Sequence, residues 1–299
     1  MKSTLPAIAL GAFLACACHL ASAQATVTIT QHGSGNRSSV DQSIEPTIAP
    51  SITITQTGNN NRANAVQHNV RAIGTTASVI DQQGAANQAS VTQDTTIWPV
   101  NGVVRQVGTG NVGTIRQARV QYSDAVVEQS GTGNVTLMEQ VSIGDSGSRS
   151  AQNGNGNTIQ VLHQNAVYGG PNITQTGDGN SASTVTDTVA GSGPFIVQDG
   201  TGNSARTVQT NVDFPRLGIL QQGMGNTADV TQTGNFQIAD IGQIGNFNLV
   251  SLQQSSSANG AYIRQVGDRN TAIVRQLSQG YVANVNQAGS GNYTNIYQH

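Results

Sequence analysis

Charge is scarce in this 299-residue chain: 9% of residues are Asp, Glu, Lys or Arg, against roughly 25% in an average soluble domain. Lysine occurs once, at Lys2, and the scattered arginines form no basic stripe. Nucleic acid and anionic membrane are therefore excluded as expected partners. Both cysteines, Cys16 and Cys18, fall near the N-terminus, so no disulfide can staple the rest. Aromatics make up 4%, and only 11 Leu occur, four of them before residue 21, which argues against a helical bundle. No segment reaches 18 consecutive apolar residues, so no membrane insertion is expected. Yet Leu, Ile, Val and Phe total 66 and the formal net charge is −2, too apolar and too neutral for disorder.

What fills the space is amide and glycine: 60 Gln and Asn and 35 Gly. Lys2, the apolar run from Leu5 to Leu20 and Ala21-Ser22-Ala23 predict a secretory leader over 1–23, leaving a repeat domain over 24–299.

That domain is one motif written twelve times. QHGSGNRSSVDQ (31–42) recurs as QTGNNNRANAVQ (56–67), QVGTGNVGTIRQ (106–117), QQGMGNTADVTQ (221–232) and QAGSGNYTNIYQ (287–298), among others. The first Gln stands at 31, 56, 82, 106, 129, 152, 175, 198, 221, 243, 265 and 287. The pattern is Q-x-G-x-x-N-x5-Q; its closing Gln is replaced only by His163 and Thr186.

Two residues before the first Gln, eleven of twelve copies carry Ile or Val, while the next position is mixed (Thr30, Asp81, Arg105, Glu128, Leu220). Such alternation marks a strand with one buried face. After the Asn the alternation resumes, so each copy reads as strand, glycine-bearing turn, strand, connector. Antiparallel hairpins would not require one residue at one place every 22 to 26 positions; parallel stacking does, because like side chains then lie above one another. Buried amides need hydrogen bonds, and a ladder of identical amides about 4.8 Å apart supplies them. The expected fold is all-β: a two-sided parallel β-solenoid of the cross-β type, with about twelve rungs. The prolines fall in connectors or at strand starts.

These residues resemble the curlin repeat of curli subunits, which polymerise outside bacteria into amyloid fibres that hold biofilms together and adhere to surfaces. By similarity, the family's ladder positions fall on Gln31, Asn36 and Gln42; Gln56, Asn61 and Gln67; Gln106, Asn111 and Gln117; Gln129, Asn134 and Gln140. They continue at Gln221, Asn226 and Gln232; Gln265, Asn270 and Gln276; Gln287, Asn292 and Gln298; and their equivalents in the other copies. The resemblance implies a secreted, self-assembling structural subunit at the cell surface. A nucleator subunit and an outer-membrane secretion channel are its implied partners. With the first strand close to the leader and the last ending at Gln298, neither end leaves room for a cap, and one chain's last rung is expected to template another's first.

No catalytic constellation, cofactor or metal site is expected. His32, His68, His163 and His299 lack ligand-spaced neighbours, and His163 reads as a substituted ladder position. Asp178, Asp199 and Asp268 read as solvated turn acids or as gatekeepers against premature aggregation. Trp98 reads as a loop anchor; Phe195, Val197 and Leu220 as outward apolar residues. The competing class is a monomeric solenoid binding module, an adhesin or ice-binding type, suggested by ThrIleThr at 28–30 and 53–55.

Overall fold

The computed structural model describes residues 25–44, 50–71, 76–96 and 98–299. The leader expected over 1–23 lies outside the described residues, as does Pro46. Twelve first strands, from Thr26–Ser34 to Val282–Ala288, form one sheet in chain order. Twelve second strands, from Arg37–Ile44 to Tyr293–Gln298, form the other. Every pairing is parallel, and the register superposes like on like: Ile29 on Ile54, Gln31 on Gln56, Gly33 on Gly58. The protein is a two-sheet parallel β-solenoid, as the repeat predicts. At about 4.8 Å per rung the stack is on the order of 55 Å long. Among the described residues no helix is long and apolar enough to cross a membrane.

The core between the sheets fills by pairing large with small. In the first sheet the column two before each Gln is large (Ile54, Ile80, Val104, Ile173, Ile196, Ile241), all 0% exposed. The column it meets in the second sheet is small: Ala63, Ala89, Ala182, Ala205, Ala228, Ala272. One step further the sizes reverse, so that Gly102 lies against Val91 as Gly113 lies against Val104. The two columns therefore interdigitate, as close packing across about 10 Å requires.

The connectors add a second, smaller core. Val120, Ile143, Ala166, Val189 and Val212 each stand three residues after the closing ladder position and stack with Val100 as a buried column. Just before them, Arg119, Ser142, Asn165, Thr188 and Asn211 take positive φ, between 51° and 56°. That left-handed residue ends the strand alternation and turns the next side chain inward. Single parallel bridges, Gln121 to Gly144, Gly144 to Val167 and Val167 to Ala190, join these connectors. In rungs ten and eleven the shorter connector instead repeats the glycine turn's device. Asn259 Nδ2 donates to Ser255 O at 2.8 Å while Tyr281 N donates to Asn259 Oδ1 at 2.9 Å.

Candidate functional site: the amide columns and end rungs

Three columns of amides run the length of the stack. In the first, Gln31 Nε2 donates to Gln56 Oε1 at 2.6 Å, and the same bond repeats through Gln82, Gln106, Gln129, Gln152, Gln175, Gln198, Gln221, Gln243, Gln265 and Gln287 at 2.7–3.0 Å. Each first-column nitrogen from rung two on also donates to a backbone carbonyl of the facing sheet, as Gln56 does to Arg37 O at 3.2 Å and Gln82 to Arg62 O at 3.0 Å. A side chain that would be costly unpaired inside the stack thus has its nitrogen fully used.

The second column is asparagine. The backbone N and Nδ2 of Asn61 both donate to Asn36 Oδ1, at 3.0 and 3.1 Å. Asn111, Asn134, Asn226, Asn270 and Asn292 hold the equivalent place on the rung before each. Each Nδ2 short of the last rung also reaches the turn glycine of the next, for example Asn134 to Gly154 O at 2.7 Å. That contact explains the invariant glycine. A Cβ on Gly108 would lie 2.0 Å from the Gly131 carbonyl oxygen, and φ is +120°, a backbone open to glycine alone.

The third column, closing each repeat, is broken. Gln42, Gln67, Gln93, Gln117 and Gln140 form one amide chain at 2.7–3.0 Å. Gln209, Gln232, Gln254, Gln276 and Gln298 form another at 2.7–2.9 Å. Between them stand His163 and Thr186, both 0% exposed. His163 Nε2 lies 3.1 Å from Ser146 Oγ and its Nδ1 2.6 Å from Thr186 Oγ1. Burial pushes its pKa down to about 4. Unpaired buried atoms gather near this break: Ser150 Oγ, Thr184 Oγ1, Thr207 Oγ1 and Gln209 Oε1.

A family model described as curlin associated repeat matches residues 195–234 and 223–255. Residues 195–255 thus carry curlin-associated repeats. The matched span covers the rungs that open at Gln198, Gln221 and Gln243, and the first-glutamine and asparagine columns run through the other nine. Curlin repeats belong to structural fibre subunits, a family of extracellular fibre components rather than enzymes. No curated protein matches the chain.

Around the columns the surface is stitched by bonds between rungs. Asp178 accepts from Asn155 N and Nδ2 at 2.8 and 2.9 Å, and Asp268 accepts from Asn246 N and Nδ2 at 2.8 and 3.0 Å. These two acids hold the preceding rung's turn, a role the sequence reading as solvated acids missed; Asp199 is exposed. Glu128 accepts from Arg105 at 3.1 Å and from Arg149 at 2.6 Å, so three successive rungs share one ion cluster. The Arg149 hydrogen bond, with Arg105 adding to it, holds the Glu128 carboxyl below its usual range. Trp98 stacks on Tyr122 with centroids 5.1 Å apart, anchoring neighbouring connectors. Phe195 and Leu220 point outward and are 52% and 37% exposed. Among the described residues no group of three or more His, Cys, Asp or Glu could hold a metal.

The end rungs differ from the rest in one respect. Val27, Ile29 and Val40 in rung one and Ile296 in rung twelve are only partly buried, although their columns are closed in the interior. Among the described residues no strand pairs with the outer edges of Thr26–Ser34, Arg37–Ile44, Val282–Ala288 or Tyr293–Gln298.

Proposed function

We propose that this chain is a secreted structural subunit that self-assembles into extracellular curli-like amyloid fibres supporting cell adhesion and the biofilm matrix. The observation that carries the reading is the open cross-section at the end rungs. Among the described residues, each face bares the edge of the apolar core, three amide columns and the unpaired backbone of two strands. Such an edge templates another strand of the same pattern. Each added hydrogen bond contributes only about 1 kcal/mol net, but two strands, three amides and four apolar columns engage together. The leader over 1–23 fits export; a nucleator subunit and an outer-membrane channel are the partners this reading calls for.

The test is direct. Residues 24–299, diluted out of denaturant, should give seedable, thioflavin-positive fibres with a 4.7–4.8 Å meridional reflection. A stable β-rich monomer at every concentration would replace this reading with the binding module, whose two-rung threonine face, Thr28 and Thr30 beside Thr53 and Thr55, gives way to Asp81 and Arg105.

A further inference from the structure

One connector position repeats along the edge of the stack. Tyr122, Asp145, Tyr168, Gly191 and Phe214 each stand five residues after the closing position of their rung. The backbone ties them into one column: Asp145 N donates to Gln121 O, Tyr168 N to Gly144 O, Gly191 N to Val167 O and Phe214 N to Ala190 O, at 2.6–3.1 Å. All five take positive φ. Glycine meets that geometry without strain, and a bulky ring does not. Yet Tyr122 and Tyr168 hold it while 49% and 59% exposed, so neither core packing nor backbone conformation accounts for an aromatic residue there.

Between the two tyrosines lies Asp145. One face of the Tyr122 ring is taken by Trp98, with centroids 5.1 Å apart and planes 14° from parallel. That stack, from the preceding connector, sets the Tyr122 ring across the column and leaves its other face towards the Asp145 rung. Tyr168, at the same position two rungs on, walls the far side. The gap is open: Gly144, next to the acid, has no heavy atom within 4 Å of where a Cβ would stand. Among the described residues no hydrogen bond or ion pair reaches the Asp145 carboxylate; Arg119, on the preceding connector, donates its Nε to Ser142 Oγ at 3.1 Å.

We infer that Tyr122, Asp145 and Tyr168 form a binding slot for a quaternary ammonium group of the choline type. Two rungs separate the tyrosine positions by about 9.6 Å, so a cation midway lies about 4.8 Å from each, inside the roughly 6 Å reach of a cation–π contact. The carboxylate between them supplies the countercharge. Aromatic walls select against sodium or a primary ammonium ion, whose tightly held water they cannot replace with hydrogen bonds. A lone carboxylate gives a divalent metal too few ligands. A neutral ligand of the same shape forgoes both attractions. The slot lies within one chain, so its occupancy does not depend on fibre growth, and a fibre carries it once per subunit along its edge.

Trp98 is the sole tryptophan and stacks on one wall of the slot, so its emission reports occupancy. Choline chloride is titrated into residues 24–299, as freshly diluted chain and as fibre. A saturable change with a midpoint on the order of 1–10 mM is expected. Asp145→Asn should weaken it about fivefold and Tyr168→Asn about threefold; asparagine accepts positive φ, so neither variant disturbs the turn. Phe214→Asn, two rungs beyond Tyr168, should leave the midpoint unchanged. Sodium chloride at equal ionic strength should give no saturable change, nor should the neutral isostere with a tert-butyl group in place of the trimethylammonium. Phosphatidylcholine vesicles form the second arm. Sedimentation with them that is lost in Asp145→Asn assigns the cation to a lipid headgroup; a choline response without sedimentation assigns it to a free solute. No saturable response to choline, an equal response to the isostere, or a midpoint unmoved in Asp145→Asn would overturn the slot. Choline binding by a chain that never forms fibres would sink the fibre reading alone.

Discussion

His163 Nδ1 and the Thr186 hydroxyl lie 2.6 Å apart at the place where, in the other rungs, one glutamine amide bonds the next. The contact satisfies both groups but ends an otherwise continuous column, and it puts a titratable ring at 0% exposure in the middle of the stack.

Acid should therefore loosen the folded rungs. His163 is held neutral, with a folded pKa of about 4 against 6.5 in the free side chain. A base with a depressed folded pKa binds its proton more readily in the unfolded chain. Stability is then unaffected above pH 6.5 and falls as pH drops towards 4, by roughly 3 kcal/mol at the limit. The groups around the ring do not offset this. Ser146 and Thr186 are neutral, and the nearby acids face solvent, Asp187 bonded by Asn165 and Glu139 by Arg116. Denaturant midpoints of soluble chain at pH 7.5 and 5.0 should differ in the wild type, and the difference should shrink in His163→Gln. Equal midpoints in the wild type would contradict the assignment.

Restoring the column should stabilise the protein. His163→Gln with Thr186→Gln joins Gln140 to Gln209 and gives the unpaired Gln209 Oε1 a donor. The pair is expected to raise stability by about 1–3 kcal/mol, near 1 kcal/mol per added bond. The gains of the two single variants should sum to less than that of the pair, since neither closes the gap alone. The measurement is a double-mutant cycle on the denaturant midpoint.

An intact column should be costly to interrupt. Gln82→Leu removes the bonds to Gln56, Gln106 and Arg62 O, strips the buried Gln106 Oε1 of its donor and leaves Gln56 Nε2 with Arg37 O alone. A loss of about 2–5 kcal/mol is expected. Gln83→Leu, one residue on and exposed, should change stability by less than about 0.5 kcal/mol. Similar losses in the two variants would mean that the column is not what holds the rungs.

The rungs were legible in the sequence because parallel stacking forces like over like: Gln31, Asn36 and their copies are the same residues for the reason that they touch one another. The connectors obey a different logic. Val120, Ile143, Ala166, Val189 and Val212 share a position and an apolar character, so a signal was present. It was masked by the left-handed residue before each, which shifts the inward phase by one. Since that turn demands only a conformation, Arg119, Ser142, Asn165, Thr188 and Asn211 share no chemistry. The inter-rung bonds of Asp178 and Asp268 were not legible for a related reason. Their partners, Asn155 and Asn246, lie a full repeat away on the outer side of the turn, where Thr109 and Thr201 serve other rungs.

The two turn glycines of one repeat should respond unequally to alanine, although both have positive φ. Gly108 sits at φ +120° with the Gly131 carbonyl oxygen 2.0 Å from where a Cβ would be; Gly110 sits at φ +67° with no atom within 4 Å. At Gly110 the cost is conformational alone, about 1 kcal/mol, since the left-handed region admits other residues: Asn60, Ala86 and Phe247 occupy the same corner in other rungs. At Gly108 the clash is with backbone, and relieving it means separating rungs four and five and losing the Asn111 contact to Gly131 at 3.0 Å. Gly108→Ala is expected to cost more than about 3 kcal/mol and to slow assembly, with Gly110→Ala near wild type in both. Comparable midpoints for the two variants would show that carbonyl stacking along the turn does not set the rung spacing.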